Sequence, residues 1–425
     1  MKKHGFTHVV IYGDREHFAN VRFLTGYDPR FEETLLIIPM DKKPILMVGN
    51  EGLGYSKINQ LDVEIEFFQH FSLQGQPRDR SKKMIDIFQG AGIAKESMIG
   101  VISNKYAESD DFGDRRYIID APAYIVDLLR QLSGSTKVVD VTYWFTHPQD
   151  GLRIPLTVEE IVLYESANLL VYAGMKNALE SLKPGITEIE LASKLDYDGA
   201  FPLSCHISIG FGENALLGLG SPTNRKLKKG DFVTIGFGVW GANIARTGIA
   251  LSGPEELPQP IRDAMDKVYK PYFVGLYNWY KALKIGVTGG ELFDSMGKLA
   301  TDPFFGMNLN PGHQLRDEEW INTPILSGSK LKLPPQTMLQ SDINVNAAAP
   351  YSGIHSEDGL VLADEKTRQQ LAGRYPDVWE RIVRRRKAMV EDFGYVLHDD
   401  VLPLSDMEGF VVPFLLNPKL ALSLA

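Results

Sequence analysis

The chain is 425 residues long, 44% hydrophobic and 23% charged, with a formal net charge of −9 at pH 7. That length exceeds one ordinary hydrophobic core, and the composition is that of a globular protein. The acidic balance excludes a phosphate-tracking nucleic-acid surface and a polybasic membrane anchor, and no run approaches the roughly 18 apolar residues of a membrane span.

Residues 1–150 read as alternating strands and helices. Val9–Tyr12, Leu35–Ile38 and Ile45–Val48 are short buried-strand runs bounded by Gly, Asp or Pro, and Ser81–Gln89 and Ala121–Leu132 carry helical patterns. This is an α/β domain. Lys2 and Lys3 are followed by no long apolar stretch, so the N-terminus is not a secretory signal, and the single Cys205 rules out an internal disulfide. Both point to the cytoplasm. The polar stretch His147-Pro148-Gln149-Asp150-Gly151 marks the domain boundary.

An internal repeat dominates the second part. Leu182-Lys183-Pro184-Gly185-Ile186-Thr187, then Glu190-Leu191, matches Leu283-Lys284-Ile285-Gly286-Val287-Thr288, then Glu291-Leu292; Gly174 and Gly275 keep the same offset. Both Thr residues open a Thr-x-x-Glu capping box, so each copy is helix, turn, new helix, followed by strand-rich sequence over roughly 203–251 and 305–363. Two such halves predict one domain with pseudo-twofold symmetry and a site on its axis. Leu227 leads in nine residues to Gly236, whereas Leu333 leads in nine to Asp342. One half supplies a carboxylate; the other supplies none.

Cys205 and His206 are adjacent, so on a strand their side chains point apart and a Cys–His dyad is not expected. The basic cluster Arg384-Arg385-Arg386-Lys387 lies in a helix expected over Tyr375–Asp392 and reads as a solvated face. Neither Gly210-Phe211-Gly212 nor Gly236-Phe237-Gly238 forms a phosphate loop, and no nucleophile elbow is present.

Asn20-Val21-Arg22-Phe23-Leu24-Thr25-Gly26-Tyr27, Thr157-Val158-Glu159-Glu160-Ile161, Lys183 to Thr187, Gly212-Glu213-Asn214-Ala215, Leu227 to Asp231, Arg246-Thr247, Gly312-His313 and Glu357-Asp358 occur in the order found in the aminopeptidase P/creatinase superfamily. Over about residues 8–365 the chain resembles that superfamily. The resemblance implies a creatinase/prolidase-like α/β domain over 1–150 and an α+β pita-bread catalytic domain with a pseudo-twofold repeat over 151–366. A C-terminal extension, 367–425, is then expected to pack on its own domain or on a partner subunit of a homodimer. The first strand begins near His8, without the helix that the resemblance would place ahead of it.

The superfamily holds two divalent metals with two Asp, one His and two Glu. Carried across, the Asp positions fall at Gly236 and Asn243, His313 matches the His, Asp342 takes the place of the first Glu, and Glu357 matches the second. Two substrate-contacting histidines of the superfamily fall at Leu219 or Gly220 and at Trp320, and His355 stands where Arg is frequent. Four family carboxylates offset two divalent ions, whereas Asp342 and Glu357 offset one, so a dinuclear site is not expected. One imidazole and two carboxylates suit a single Zn, Mn or Fe; otherwise His313, Asp342 and Glu357 form a hydrogen-bonded remnant without metal. Creatinase-like members cleave a C–N bond without metal, with a histidine as proton shuttle, and His313 with Glu357 or His355 with Asp342 could form such a pair.

Two readings follow. One is a hydrolase of a C–N bond in a small peptide-like or amidine-like substrate, with His313, Glu357 and His355 catalytic, Arg246, Trp320 and Leu219 shaping the pocket, and one metal ion or none. The other is a catalytically silent peptidase-like binding protein.

Overall fold

The computed structural model describes residues 1–424, which divide into two compact units after Arg153. The first unit, Met1–Arg153, is built on β1 (His8–Gly13), β2 (Thr34–Pro39), β3 (Ile45–Val48), β4 (Glu64–Phe67), β5 (Ile99–Ile102) and β6 (Val138–Asp140), in the order β4-β3-β2-β1-β5-β6. The strand runs expected from the sequence lie inside β1, β2 and β3. Their side chains are buried on both faces, which is why they read as continuous apolar runs rather than alternating ones. Helices Met84–Gly90 and Ala123–Ser133 cover one face. Asn20 ties the unit together: its amide donates to the Ser103 carbonyl at 2.6 Å and its side-chain oxygen accepts from Arg153 at 2.9 Å.

The second unit contains β7 (Ser208–Phe211), β8 (Phe232–Val239), β9 (Ala242–Ile249), β10 (His313–Gln314), β11 (Thr337–Gln340), β12 (Ile343–Val345), β13 (Ile354–Glu357), β14 (Gly359–Leu362) and β15 (Val401–Pro403). They form a five-stranded sheet, β12-β13-β9-β8-β7, and a four-stranded sheet, β10-β11-β14-β15.

The repeat is present as equivalent structure. Thr187 and Thr288 each cap a short helix with a complete capping box, Glu190 and Glu291 closing the reciprocal bond. In each half the turn glycine donates to the leucine that precedes the strands, Gly185 to Leu227 and Gly286 to Leu333, both at 2.8 Å, and each leucine donates back, to Ile186 and Val287. The matched glycines Gly174 and Gly275 sit in the long helices Val158–Ser181 and Lys270–Ala282 at points of close approach. A Cβ would stand 2.5 Å from the Leu195 carbonyl oxygen in the first and 2.4 Å from Leu299 in the second.

The segment after residue 366 packs within the second unit: β15 pairs with β14, and Val412, Phe414 and Leu415 are buried in the unit's own cores. One expectation needs correction: the basic cluster on helix Pro376–Glu391 is not a solvated face. Arg385 is only 4% exposed and ion-pairs with Glu165 and Asp406, while Arg386 donates to the carbonyls of His398 and Val401. A helix turns 100° per residue, so four consecutive cations cannot all face water when one side of the helix is packed. Among the described residues no helix is long and apolar enough to cross a membrane.

Asp140, at the end of β6, is pushed up to about 7 by burial, against hydrogen bonds from Thr142. Between the ordinary carboxyl range and pH 7 the folded chain therefore holds a proton that the unfolded chain has lost. Its contribution to stability is fully present near pH 4 and below, and is lost as pH rises through 7. Amide-exchange protection of β5 and β6 is expected to fall from pH 4 to pH 7 after correction for intrinsic exchange, and Asp140→Asn should flatten that slope.

Candidate active site

The site is assembled by strand register. Ser208, Gly236, Ala245 and Glu357 are cross-strand neighbours on β7, β8, β9 and β13, so they form one row across the five-stranded sheet. Period-2 alternation puts Asn243 on the face of Ala245, and His355 on the face of Glu357. The second half adds His313 at the start of β10 and Asp342 between β11 and β12.

The His313, Asp342 and Glu357 side chains are nearly inaccessible, and one potential ligand atom of each lies within 4.8 Å of the other two. Nε2 of His313 is 3.9 Å from Oδ2 of Asp342 and 3.7 Å from Oε1 of Glu357. His355 donates from Nε2 to Oδ1 of Asp342 at 2.7 Å and lies 3.9 Å from Oε2 of Glu357. The Trp320 ring stacks on His313 with centroids 4.1 Å apart and planes 19° from parallel.

Each titratable group has a distinct electrostatic setting. Burial pushes Glu357 well above the usual carboxyl range, and the charges of Asp342 and Glu319 push it further. Burial also acts to raise Asp342, but its contact with His355 prevails and holds it low. Burial opposes a charge on His355, yet the hydrogen bond to Asp342 and the surrounding negative charge lift its pKa above normal. For His313 burial prevails and lowers the pKa, leaving a neutral ring able to offer a lone pair. These shifts favour charge on the His355–Asp342 pair and a neutral ring at His313, and they disfavour charge on Glu357.

One residue of the site escaped the sequence reading. Glu319, on the loop after β10, accepts at Oε1 from the Asn243 amide at 3.0 Å, and the same nitrogen donates to Oε1 of Glu357 at 3.1 Å. Asn243 is thus a donor shared by two carboxylates, one of them supplied by a loop. The only available signal was the acidic run Asp317-Glu318-Glu319 beside Trp320, which resembles any solvated turn.

Other expected site residues lie elsewhere. Arg246 does not shape this pocket. It alternates to the opposite face of β9 from Asn243, is 1% exposed, and donates to both carboxylate oxygens of Asp358 and to the carbonyls of Glu357 and Met407. Leu219 is 73% exposed, and its carbonyl accepts from His206 at 2.6 Å. Cys205 and His206 are not on a strand, so alternation does not separate them: Sγ lies 3.9 Å from Nδ1 of His206. The dyad is disfavoured for another reason. Burial and the Glu319 carboxylate push the Cys205 thiol up to about 12, which keeps it protonated.

The donor set can be tested against metal. Ligands held about 2.0–2.2 Å from one ion lie at most ~4.4 Å apart. Separations of 3.7 and 3.9 Å therefore fit one ion on His313, Asp342 and Glu357. Gly236 and Asn243 add no carboxylate beside these three. Gly236 offers no side chain, and the Asn243 N–H group, already donating to Glu319 and Glu357, presents positive charge to the space beside it. Gly236 and Asn243 lie on the same sheet face, and a Cβ at Gly236 would meet nothing closer than 3.7 Å. Gly236→Asp combined with Asn243→Asp is accordingly expected to raise bound divalent metal from one to two equivalents, measured by elemental analysis after dialysis. Unchanged uptake would show that the carboxylates cannot converge from these strands.

Residues 163–363 match the model of metallopeptidase family M24. An Xaa-Pro dipeptidase of Pyrococcus furiosus is 28% identical over 226 residues, 50% of this chain and 62% of that protein. An uncharacterized peptidase of Bacillus subtilis, YqhT, is 24% identical over 231 residues, 52% of this chain and 62% of its own length. The chain thus spans less than two thirds of these relatives. Among solved structures, the prolidase from Pyrococcus horikoshii aligns with a TM-score of 0.65 at 17% identity, covering 85% of this chain and 93% of that one. An Xaa-Pro dipeptidase from Bacillus anthracis aligns at 0.63 and 17%, covering 86% and 92%.

Proposed function

We propose that the chain is a member of the aminopeptidase P/creatinase superfamily, whose fold it carries, and a hydrolase with a one-sided, single-ion site. Its substrate class is a small molecule with a peptide-like or amidine-like C–N bond. The observation that carries this reading is the convergence of His313, Asp342 and Glu357 to within 4.8 Å, all from the second half of the repeat. These three residues would hold the ion, Zn, Mn or Fe by donor type. When bound, such an ion supplies Lewis-acid polarisation and a more acidic water.

The chain's own side chains do the remaining work. His355 fixes Oδ1 of Asp342 and leaves Oδ2 toward His313. Asn243 holds Oε1 of Glu357, while Oε2 lies 3.9 Å from Nε2 of His355, whose proton is directed at Asp342. The stacked Trp320 fixes the plane of His313 and, at 41% exposure, offers an apolar wall to a substrate. Charge also balances for one ion. Asp342, Glu357 and Glu319 supply three negative charges, the protonated His355 removes one, and a divalent cation offsets the other two.

The purified protein is expected to bind one equivalent of transition metal, and His313→Ala should lose it. Protein that takes up none, or that takes up two, would sink the single-ion site. Metal-loaded protein should hydrolyse members of a panel of Xaa-Pro dipeptides and guanidino acids, and inactivity across both classes would count against the hydrolase. Burial raises the pKa of Glu357, which must be deprotonated to act as a ligand, so metal binding should release a proton and affinity should increase as pH rises. Calorimetric titration in buffers of different ionisation enthalpy measures that release directly.

A further inference from the structure

Helix Lys270–Ala282 carries three aromatic side chains with polar tips, Tyr272, Trp279 and Tyr280, all inaccessible to solvent. Positions i, i+7 and i+8 fall on one side of an α-helix, so the three share a face. Each tip ends on a residue beside a candidate metal ligand. The Tyr272 hydroxyl accepts from the Ser356 amide and donates to the Ile343 carbonyl, both at 2.8 Å. Ser356 precedes Glu357, and Ile343 follows Asp342. The two are cross-strand partners of β13 and β12, so one phenol oxygen stands between the segments that carry both carboxylates. The Trp279 indole donates to the carbonyl of Pro311, close before His313, at 2.8 Å. The Tyr280 hydroxyl lies 2.9 Å from that of Ser341, which precedes Asp342.

The repeat supplies an internal comparison. At the same offset, helix Val158–Ser181 carries Val171, Ala178 and Leu179, all buried in an apolar core. Aliphatic side chains therefore satisfy the architecture at these three places. The polar tips stand in the half whose strands bring His313, Asp342 and Glu357 together, which ties them to the site rather than to the fold.

We infer that Tyr272 is a positioning residue whose hydroxyl sets the separation of Asp342 and Glu357, with Trp279 and Tyr280 steadying His313 and Asp342 from the same helix. The inference rests on the reading of these three ligand candidates as the working groups of the site. A direct ladder bond spans about 2.9 Å from nitrogen to oxygen, and here two bonds through the hydroxyl take its place. Without the hydroxyl, the Ser356 N–H and the Ile343 carbonyl either stay unmatched or close on one another. Both outcomes displace Asp342 relative to Glu357. His355, whose Nε2 donates to Oδ1 of Asp342, reports that displacement.

The test is nuclear magnetic resonance of the full, metal-free chain, isotopically labelled in its histidine rings. Tyr272→Phe keeps the buried ring, removes the hydroxyl, and is expected to shift the Nε2 resonance of His355. Tyr395→Phe is the control: it removes an equally buried hydroxyl, one that donates to the Gly409 carbonyl, and should leave that resonance in place. Titrated with cobalt, Tyr272→Phe should bind about 10- to 100-fold more weakly than wild type, with an altered visible spectrum, and Tyr395→Phe should match wild type. Ser341→Ala, which leaves the Tyr280–Glu408 bond intact, replaces Tyr272→Phe if the latter does not fold, with the same shift expected. A His355 resonance unmoved in the variant that folds, or moved equally by Tyr395→Phe, overturns the assignment. Wild-type protein that takes up no cobalt sinks the single-ion site instead, and the histidine resonance still decides the positioning role.

Discussion

The pairing of β9 with β13 is the contact on which the second unit depends, because it is where the two halves of the repeat become one sheet. Ala245 opposite Glu357 fixes the register, and a shift of one residue would turn every side chain of the site to the wrong face. On one side this seam sets Asn243 against Glu357. On the other it sets Arg246 against Asp358 at 2.8 Å, both essentially inaccessible. Removing either partner of such a pair leaves an uncompensated charge in the interior, at roughly 3–5 kcal/mol. The Arg-Thr and Glu-Asp dipeptides thus divide their labour by alternation: Glu357 faces the site, while Arg246 and Asp358 lock the back of the sheet.

Asn243 gives the seam a hydrogen-bonded character. An aspartate there would add a third negative group between Glu319 and Glu357 and would need a cation to stabilise it. An amide instead supplies hydrogen-bond donors to both carboxylates. The first half contributes a hydrogen-bond donor to the seam, and the second half contributes the side chains that converge on a single point.

Much of this was legible in the sequence, and the limits have physical causes. Helix caps and turns are local, so the Thr187 and Thr288 boxes could be placed from four residues each. Strand runs buried on both faces announce themselves by composition. Motif order located His313, Asp342 and Glu357 because their spacing is fixed by the fold. Arg246 was misplaced because a motif gives position along the chain and not the face of the strand. Glu319 was missed because its role arises from the path of a loop, and the loop's sequence carries no periodicity. The burial of Arg385 depends on Glu165, some 220 positions earlier, and no window of sequence contains both.

The closing segment of the second unit has a consequence for how the protein is made. β9 is completed at its end by residues that come far later, since Ile249 donates to Pro413 and accepts from Leu415, and Arg246 reaches the Met407 carbonyl. Loop closure over such spans is entropically costly and slow. While the chain emerges from a ribosome, the first half can form its helices and hairpin but must wait for more than 150 further residues before its interior is sealed. Synthesis therefore exposes an incomplete sheet carrying a buried-type arginine, which is the species that chaperones would meet.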